Sequence, residues 1–181
     1  MDNGFNYYRI KTVWEGEAKD QSLTKKKSEE LVYATSYTEA EKIAHALIED
    51  QQRAKFSDSI EIEIVKTKIE DILYNDILAT QEPLVGGLVC SFFEESDDTG
   101  VGLYAVKVMF IEIDEKTAKE KRRYQTIYTP ATSNSDANER VRKYLESSVC
   151  DYVVRVAKFD KAEAILWPSD IYKSKTAESI A

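Results

Sequence analysis

The chain has 181 residues, with 25 Lys and Arg against 33 Asp and Glu, a formal charge of −8 and a pI near 4.9; this excludes a uniformly basic, polyanion-binding surface but leaves a local basic patch open. Apolar residues make up 43% and charged residues 32%, a globular balance rather than a fibrous or disordered one. Cys90 and Cys150 are too few for a disulfide scaffold or a zinc framework, no apolar run approaches a membrane span, and the Met1-Asp-Asn-Gly opening lacks a signal-type pattern, so a reducing cytosol is expected.

Phe5 to Glu15 alternates around Tyr8, Ile10, Val13 and Trp14, as a strand does. Gly16 to Ser28 is polar, ends in Lys25, Lys26 and Lys27, and reads as an exposed connection to a short second strand, Leu31 to Ser36. Thr38-Glu-Ala-Glu41 has capping-box spacing and predicts a helix from Thr38 to Gln52, with Ala40, Ile43, Ala44 and Leu47 on its apolar face. Ile60-Glu-Ile-Glu-Ile64 alternates strictly, one face buried and one wet. Ile69 to Leu73 either extends that strand or forms a short element of its own. Tyr74 to Gly102 is a connecting stretch; Leu84 to Phe93, punctuated by Pro83, Gly86 and Gly87, reads as a hairpin or extra edge strand, and Glu94 to Asp98 as an acidic turn. Strands follow at Tyr104 to Ile113 and Tyr124 to Thr129, the latter expected to stop at Pro130, which cannot donate to a ladder. A helix from Ser135 to Ser147, capped by Ser135 or Asp136, carries Ala137, Val141, Tyr144 and Leu145 on one face, and Tyr152 to Val156 is a last strand. Beyond Trp167-Pro168 the tail lacks apolar periodicity and is expected to fray.

The second half repeats the first. Tyr8-x-x-Lys11-x-x-Trp14 matches Tyr104-x-x-Lys107-x-x-Phe110, and Lys25 to Lys27 matches Lys121-Arg122-Arg123 at the same offset of 96. One residue later in register, Thr35-Ser-Tyr-Thr-Glu-Ala-Glu41 matches Thr132-Ser-Asn-Ser-Asp-Ala-Asn138. The copies close with Lys68-Ile-Glu-Asp-Ile-Leu73 and Lys161-Ala-Glu-Ala-Ile-Leu166, at an offset of 93. Four matching blocks in one order define a duplication. The expected fold is α+β, built of internally duplicated strand-strand-helix-strand units, with mainly antiparallel sheets each covered by one helix, about a pseudo-two-fold axis. The division in sequence is 1–75 for the first repeat, 76–102 for the insert, 103–168 for the second repeat and 169–181 for the tail.

Little in this pattern points to catalysis. His45 is the only histidine and lies among alanines of the first helix, as a surface or boundary residue does. Cys90 and Cys150 have apolar flanks and no neighbouring base, so both are expected to be structural thiols. Glu61 and Glu63, with Lys66 and Lys68, invite a metal-nuclease reading, but the isoleucines between the glutamates claim the core face, and the second copy has Tyr152 and Val154 there. Glu94 to Asp98 lacks the order of a calcium loop, and Gly100-Val-Gly102 is no phosphate loop. We expect no enzyme activity, no cofactor and no metal.

What remains is basic and aromatic. Single-stranded nucleic acid is held by a cationic groove and by aromatic faces on which bases stack, and both copies offer such groups: Lys11, Lys25, Lys26 and Lys27 in the first, Lys107, Lys121, Arg122, Arg123 and Tyr124 in the second. Lys11 and Trp14 lie an odd number apart, so on a strand they point to opposite faces and some of these aromatics must be core.

The opening Tyr8-x-x-Lys11-x-x-Trp14, the segment Ala34-Thr-Ser36-x-Thr-Glu-Ala-Glu41, and Tyr104-x-Val-Lys107-Val-x-Phe-Ile-x-x-Asp-Glu-Lys116 together resemble a domain family of unassigned function found in gut Bacteroidota and their phages and mobile elements. The resemblance covers roughly residues 5 to 168 and carries no catalytic residues; it implies a small phage or mobile-element protein in the bacterial host cytosol. The expected function is non-enzymatic binding of single-stranded DNA. The rivals are a protein-binding module acting on a host factor, as an inhibitor or anti-defence protein, and a virion or assembly component.

Overall fold

Two long hairpins set the architecture. The structure, a computed structural model, describes residues 4–55, 59–73, 80–84, 88–92 and 101–168; Glu94 to Asp98 and the tail after Pro168 fall outside these. Along the described residues run β1 (Asn6–Glu17), β2 (Leu23–Ala34), α1 (Tyr37–Asp50), β3 (Glu61–Lys66), β4 (Thr80–Leu84), β5 (Leu88–Phe92), β6 (Gly102–Ile113), β7 (Glu120–Ala131), α2 (Asn134–Tyr144), β8 (Asp151–Asp160) and β9 (Ala164–Pro168). The fold is α+β, with strand-strand-helix-strand order in both copies.

Both hairpins are longer than apolar alternation suggests. β1 pairs with β2 from Asn6↔Ala34 to Glu17↔Leu23, and β6 with β7 from Gly102↔Ala131 to Ile113↔Glu120. Lys25 to Lys27 and Lys121 to Arg123 are therefore strand residues, not a connection. The reason lies in the turns. Gln21 (φ 66) and Ala118 (φ 53) take the left-handed conformation at equivalent positions, while Asp20 Oδ1 accepts from Ser22 N at 3.1 Å and Asp114 Oδ1 from Lys116 N at 2.8 Å. Such turns hold the strands in register where neither face is buried, so no alternation marks them. Pro130 does not end its strand but sits within β7, opposite Leu103; β7 is an edge of its sheet, where a missing N–H is tolerated.

The helix caps are duplicated too, two residues before the spacing of Thr38 and Glu41 suggests. Ser36, not Thr38, is the N-cap of α1: its Oγ accepts from Glu39 N at 3.1 Å, and the Glu39 carboxylate accepts from Thr35 N at 2.7 Å. Ser133, not Ser135 or Asp136, caps α2: its Oγ accepts from Asp136 N at 3.1 Å, and Asp136 Oδ2 accepts from Thr132 N at 2.9 Å. Ser36 and Ser133 have extended backbones, as an N-cap requires. Tyr144, expected on the apolar face of α2, is instead exposed, while Ala137, Val141 and Leu145 are buried.

The compact units cut across the sequence repeats. One comprises 1–68, 79–93 and 162–181; the other comprises 69–78 and 94–161. In the first, a sheet of order β3-β1-β2-β9-β5-β4 carries α1 on one side. Ile43, Ala44 and Leu47 pack on Tyr8, Ile10 and Val32, and burying one such leucine stabilises by roughly 1.5–3 kcal/mol. Leu84 to Phe93 does contain one strand of a hairpin, β4–β5, joined to this sheet through β9. On the other side of β1, the buried Trp167 donates Nε1 to Tyr7 Oη at 3.2 Å. In the second unit, a sheet of order β7-β6-β8 carries α2, with Val106, Val108, Phe110 and Ile127 packed on Ala137 and Val141.

The closing segments have been exchanged. Ile72, from the first copy, forms a parallel bridge to Tyr128, and Leu73 N donates to Tyr128 O at 2.8 Å. Ile165, its counterpart in the second copy, pairs in parallel with Leu31. Leu31 and Tyr128 stand 97 residues apart, the offset of the caps, so each copy closes the other's unit.

Candidate nucleic-acid interface

The sheet faces away from α1 and α2 are where the basic residues can gather. In β6, Val106, Val108 and Phe110 point at α2, so alternation puts Lys107 on the face away from it, which is open at Lys107 and Thr126 while Leu103 and Met109 on the same side are buried. Register places Tyr124 opposite Met109 and Arg122 opposite Ile111 on that same face, with Thr126 directly opposite Lys107. Lys107 Nζ lies 4.9 Å from the centroid of the Tyr124 ring, a cation–π contact on an exposed aromatic. β8 brings Val153 opposite Met109 and Lys158 opposite Ala105, and shifts register between Val106 and Val108, where Arg155 and Val156 bulge past Lys107. Between Val101 and Lys161 the chain has 12 Lys and Arg against 9 Asp and Glu, a net charge of +3 within a total of −8.

The other basic residues do not join this face. Lys121 and Arg123 stand opposite Glu112 and Phe110, on the side that carries α2. Arg123 is engaged there, its Nε 3.5 Å from Glu112 Oε1 and its guanidinium 4.7 Å from the Phe110 ring centroid. Arg122 remains exposed, with Glu120 at 3.8 Å.

In the first unit, Lys11, Lys25 and Lys27 lie on the face away from α1, while Lys26 is on the side of Trp14. That open face is mixed in charge. Lys11 is opposed by Glu29 and Glu63, Val13 by Lys27 and Glu61, and Arg9 bonds Glu29 at 3.2 Å. A cavity of about 430 Å³ there is lined by Lys11, Lys27, Glu29, Glu61 and Glu63 together with Thr12, Val13, Ser28 and Ile62. Glu61 and Glu63 are exposed, as the strand pattern indicated, and among the described residues no three His, Cys, Asp or Glu side chains are grouped to hold a metal ion.

The aromatics divide between core and surface. Tyr8 and Phe110 are buried, and Tyr104 is half-buried against Phe159. Trp14 is half-buried under the Arg53 guanidinium, 4.7 Å from its ring. Arg53 also bonds Glu30 at 2.5 Å in a buried ion pair, with Glu30 Oε2 and Arg53 Nη1 left unpartnered among the described residues. Nothing in the sequence marks that pair, whose members are 23 residues apart. Nor does it mark Thr126, Arg155 and Lys158, which reach the open face only through the pairing and the bulge. His45 is exposed, Cys150 is half-buried against the second unit's core, and the side chain of Cys90 lies outside the described ones.

The fold and this face define a duplicated α+β protein with no helix, among the described residues, long and apolar enough to cross a membrane. The chain belongs to the family described as domain of unknown function DUF4494, whose model matches residues 6–168. No curated protein and no solved structure matches it.

Proposed function

We propose that the protein is a non-enzymatic binder of single-stranded DNA, of phage or mobile-element type and working in the bacterial cytosol, and that it engages the strand on the open face of β6, β7 and β8. The observation that carries this reading is the grouping of Lys107, Arg122 and Tyr124 on one helix-free sheet face in the cationic stretch of an acidic chain. Cations there neutralise phosphates, and an exposed tyrosine supplies a stacking surface. Fluorescence anisotropy with a labelled oligodeoxythymidylate tests it. Log affinity should fall with log salt by about 0.7 per phosphate contact. Tyr124→Ala should cost about 1–3 kcal/mol per stacked base with little change in that slope. Absence of binding by the wild-type protein at 50 mM salt, or equal binding by a Lys107→Ala/Arg122→Ala variant, would overturn the proposal.

A protein partner is favoured by a separate observation. On the face away from α2, Val153 and Tyr124 are exposed on either side of Met109, with the exposed Val156 in the adjoining bulge, and an exposed apolar patch marks an interaction surface. Under that reading, the oligonucleotide fails to bind and a host factor is retained in stoichiometric amount.

A further inference from the structure

The two open faces are copies that have diverged in charge. In the first, Lys11 stands between Glu29 and Glu63, and Val13 between Lys27 and Glu61. In the second, Lys107 stands between Thr126 and the bulge at Arg155 and Val156, and Met109 between Tyr124 and Val153. Matched by strand pairing rather than by the sequence offset of 96, Glu29 is replaced by Thr126, Glu61 by Val153 and Glu63 by the bulge carrying Arg155, not by Tyr152 and Val154, which lie on the α2 side, and Lys27 is replaced by Tyr124 rather than Arg123. Three carboxylates are gone and one aromatic has been gained. The lysine at the centre is kept in both.

A phosphate chain laid across the first face would meet Glu29, Glu61 and Glu63 at close range, and like charges brought together on a partly desolvated surface cost binding energy. The same chain on the second face meets Lys107, Arg122, Arg155 and Lys158, and the carboxylates of that face stand at its ends rather than beside the central lysine, Glu120 next to Arg122, Asp151 opposite Ile111 and Asp160 opposite Leu103. Resting on the function proposed above, we infer that only one of the duplicated faces takes nucleic acid: each chain binds a single strand, on the second copy, and the carboxylates of β3 close the first copy to it. The four cations of the second face set the salt slope at no more than about 3, at roughly 0.7 per contact.

The intact chain and a labelled single-stranded oligodeoxythymidylate test this, with stoichiometry read by titration well above the dissociation constant at 50 mM salt. Wild type should bind one equivalent. Lys107→Ala/Arg122→Ala should weaken binding tenfold or more, while Lys11→Ala/Lys27→Ala should leave it within twofold. Glu61→Val/Glu63→Arg, which gives the exposed edge strand β3 the residue types of β8, should add a second equivalent. Should that variant unfold, Glu61→Gln/Glu63→Gln removes the same charges with less change of shape and should do the same. Two equivalents on wild type, equal losses from the two lysine-bearing faces, or no second equivalent on a folded β3 variant would each overturn the inference. Failure of wild type to bind at all would instead overturn the function on which it rests.

Discussion

Arg53→Met should be among the most damaging single changes in the first unit. The Arg53 and Glu30 side chains are 8% and 3% exposed and meet at 2.5 Å, so removing the cation leaves a carboxylate in a site that water barely reaches. Breaking a buried ion pair from one side costs about 3–5 kcal/mol. The guanidinium also lies 4.7 Å above the Trp14 ring, and losing that contact adds about 0.5–2 kcal/mol. The pair as a whole is a weak source of stability, because each ion was desolvated to form it and Glu30 Oε2 and Arg53 Nη1 have no partner among the described residues. Glu30→Leu/Arg53→Met should therefore recover most of the loss, to within about 1–2 kcal/mol of wild type. Chemical denaturation followed by tryptophan fluorescence is the assay. Trp14 and Trp167 are the two tryptophans of the chain and both belong to the first unit, so their signal reports that unit. If Arg53→Met lies within 1 kcal/mol of wild type, or the double variant is as unstable as the single, the burial argument is wrong.

Leu47→Ala, at a position 1% exposed in the α1 core, should cost about 2–5 kcal/mol in the same fluorescence assay. Ser36→Ala should cost about 1 kcal/mol through loss of the cap, and Thr38→Ala much less, because Thr38 is exposed and makes no cap. Burial pushes the Asp136 carboxyl up, but bonds from Thr132 and Arg140 and the Arg140 charge outweigh it and hold the group below the usual carboxylate range. A depressed folded pKa gives stability that is present above the unfolded value near 4 and lost as pH falls through the folded one. Asp136→Asn should therefore be less stable at pH 7, by circular dichroism, with the gap closing below about pH 4. Ile72→Ala should loosen the second unit and Ile165→Ala the first, the reverse of their order in the chain; hydrogen exchange of β7 and β2 amides reads the difference.

How much of this was legible beforehand depended on whether a feature is local. The duplication, the apolar face of α1, the alternation of β3 and the α+β class can all be read from the residues in order. Each rests on spacings of a few residues, or on a repeat of such spacings, and hydrophobic periodicity registers both. The list of basic and aromatic candidates can be read there as well, but not their grouping. That Lys107, Arg122 and Tyr124 share a face while Lys121 and Arg123 turn away follows from the strand pairing. Side-chain direction on a strand reverses with every residue, and the polar hairpin ends carry no apolar rhythm from which to read it. The capping-box spacing at Thr38 and Glu41 lies two residues past the true cap because these residues offer the same chemistry as Ser36 and Glu39, and backbone conformation alone chooses between them. The Glu30–Arg53 pair and the exchange of Ile72 and Ile165 between units join residues far apart in the chain. Such contacts are set by how completed hairpins and helices pack, a long-range condition that no local spacing records.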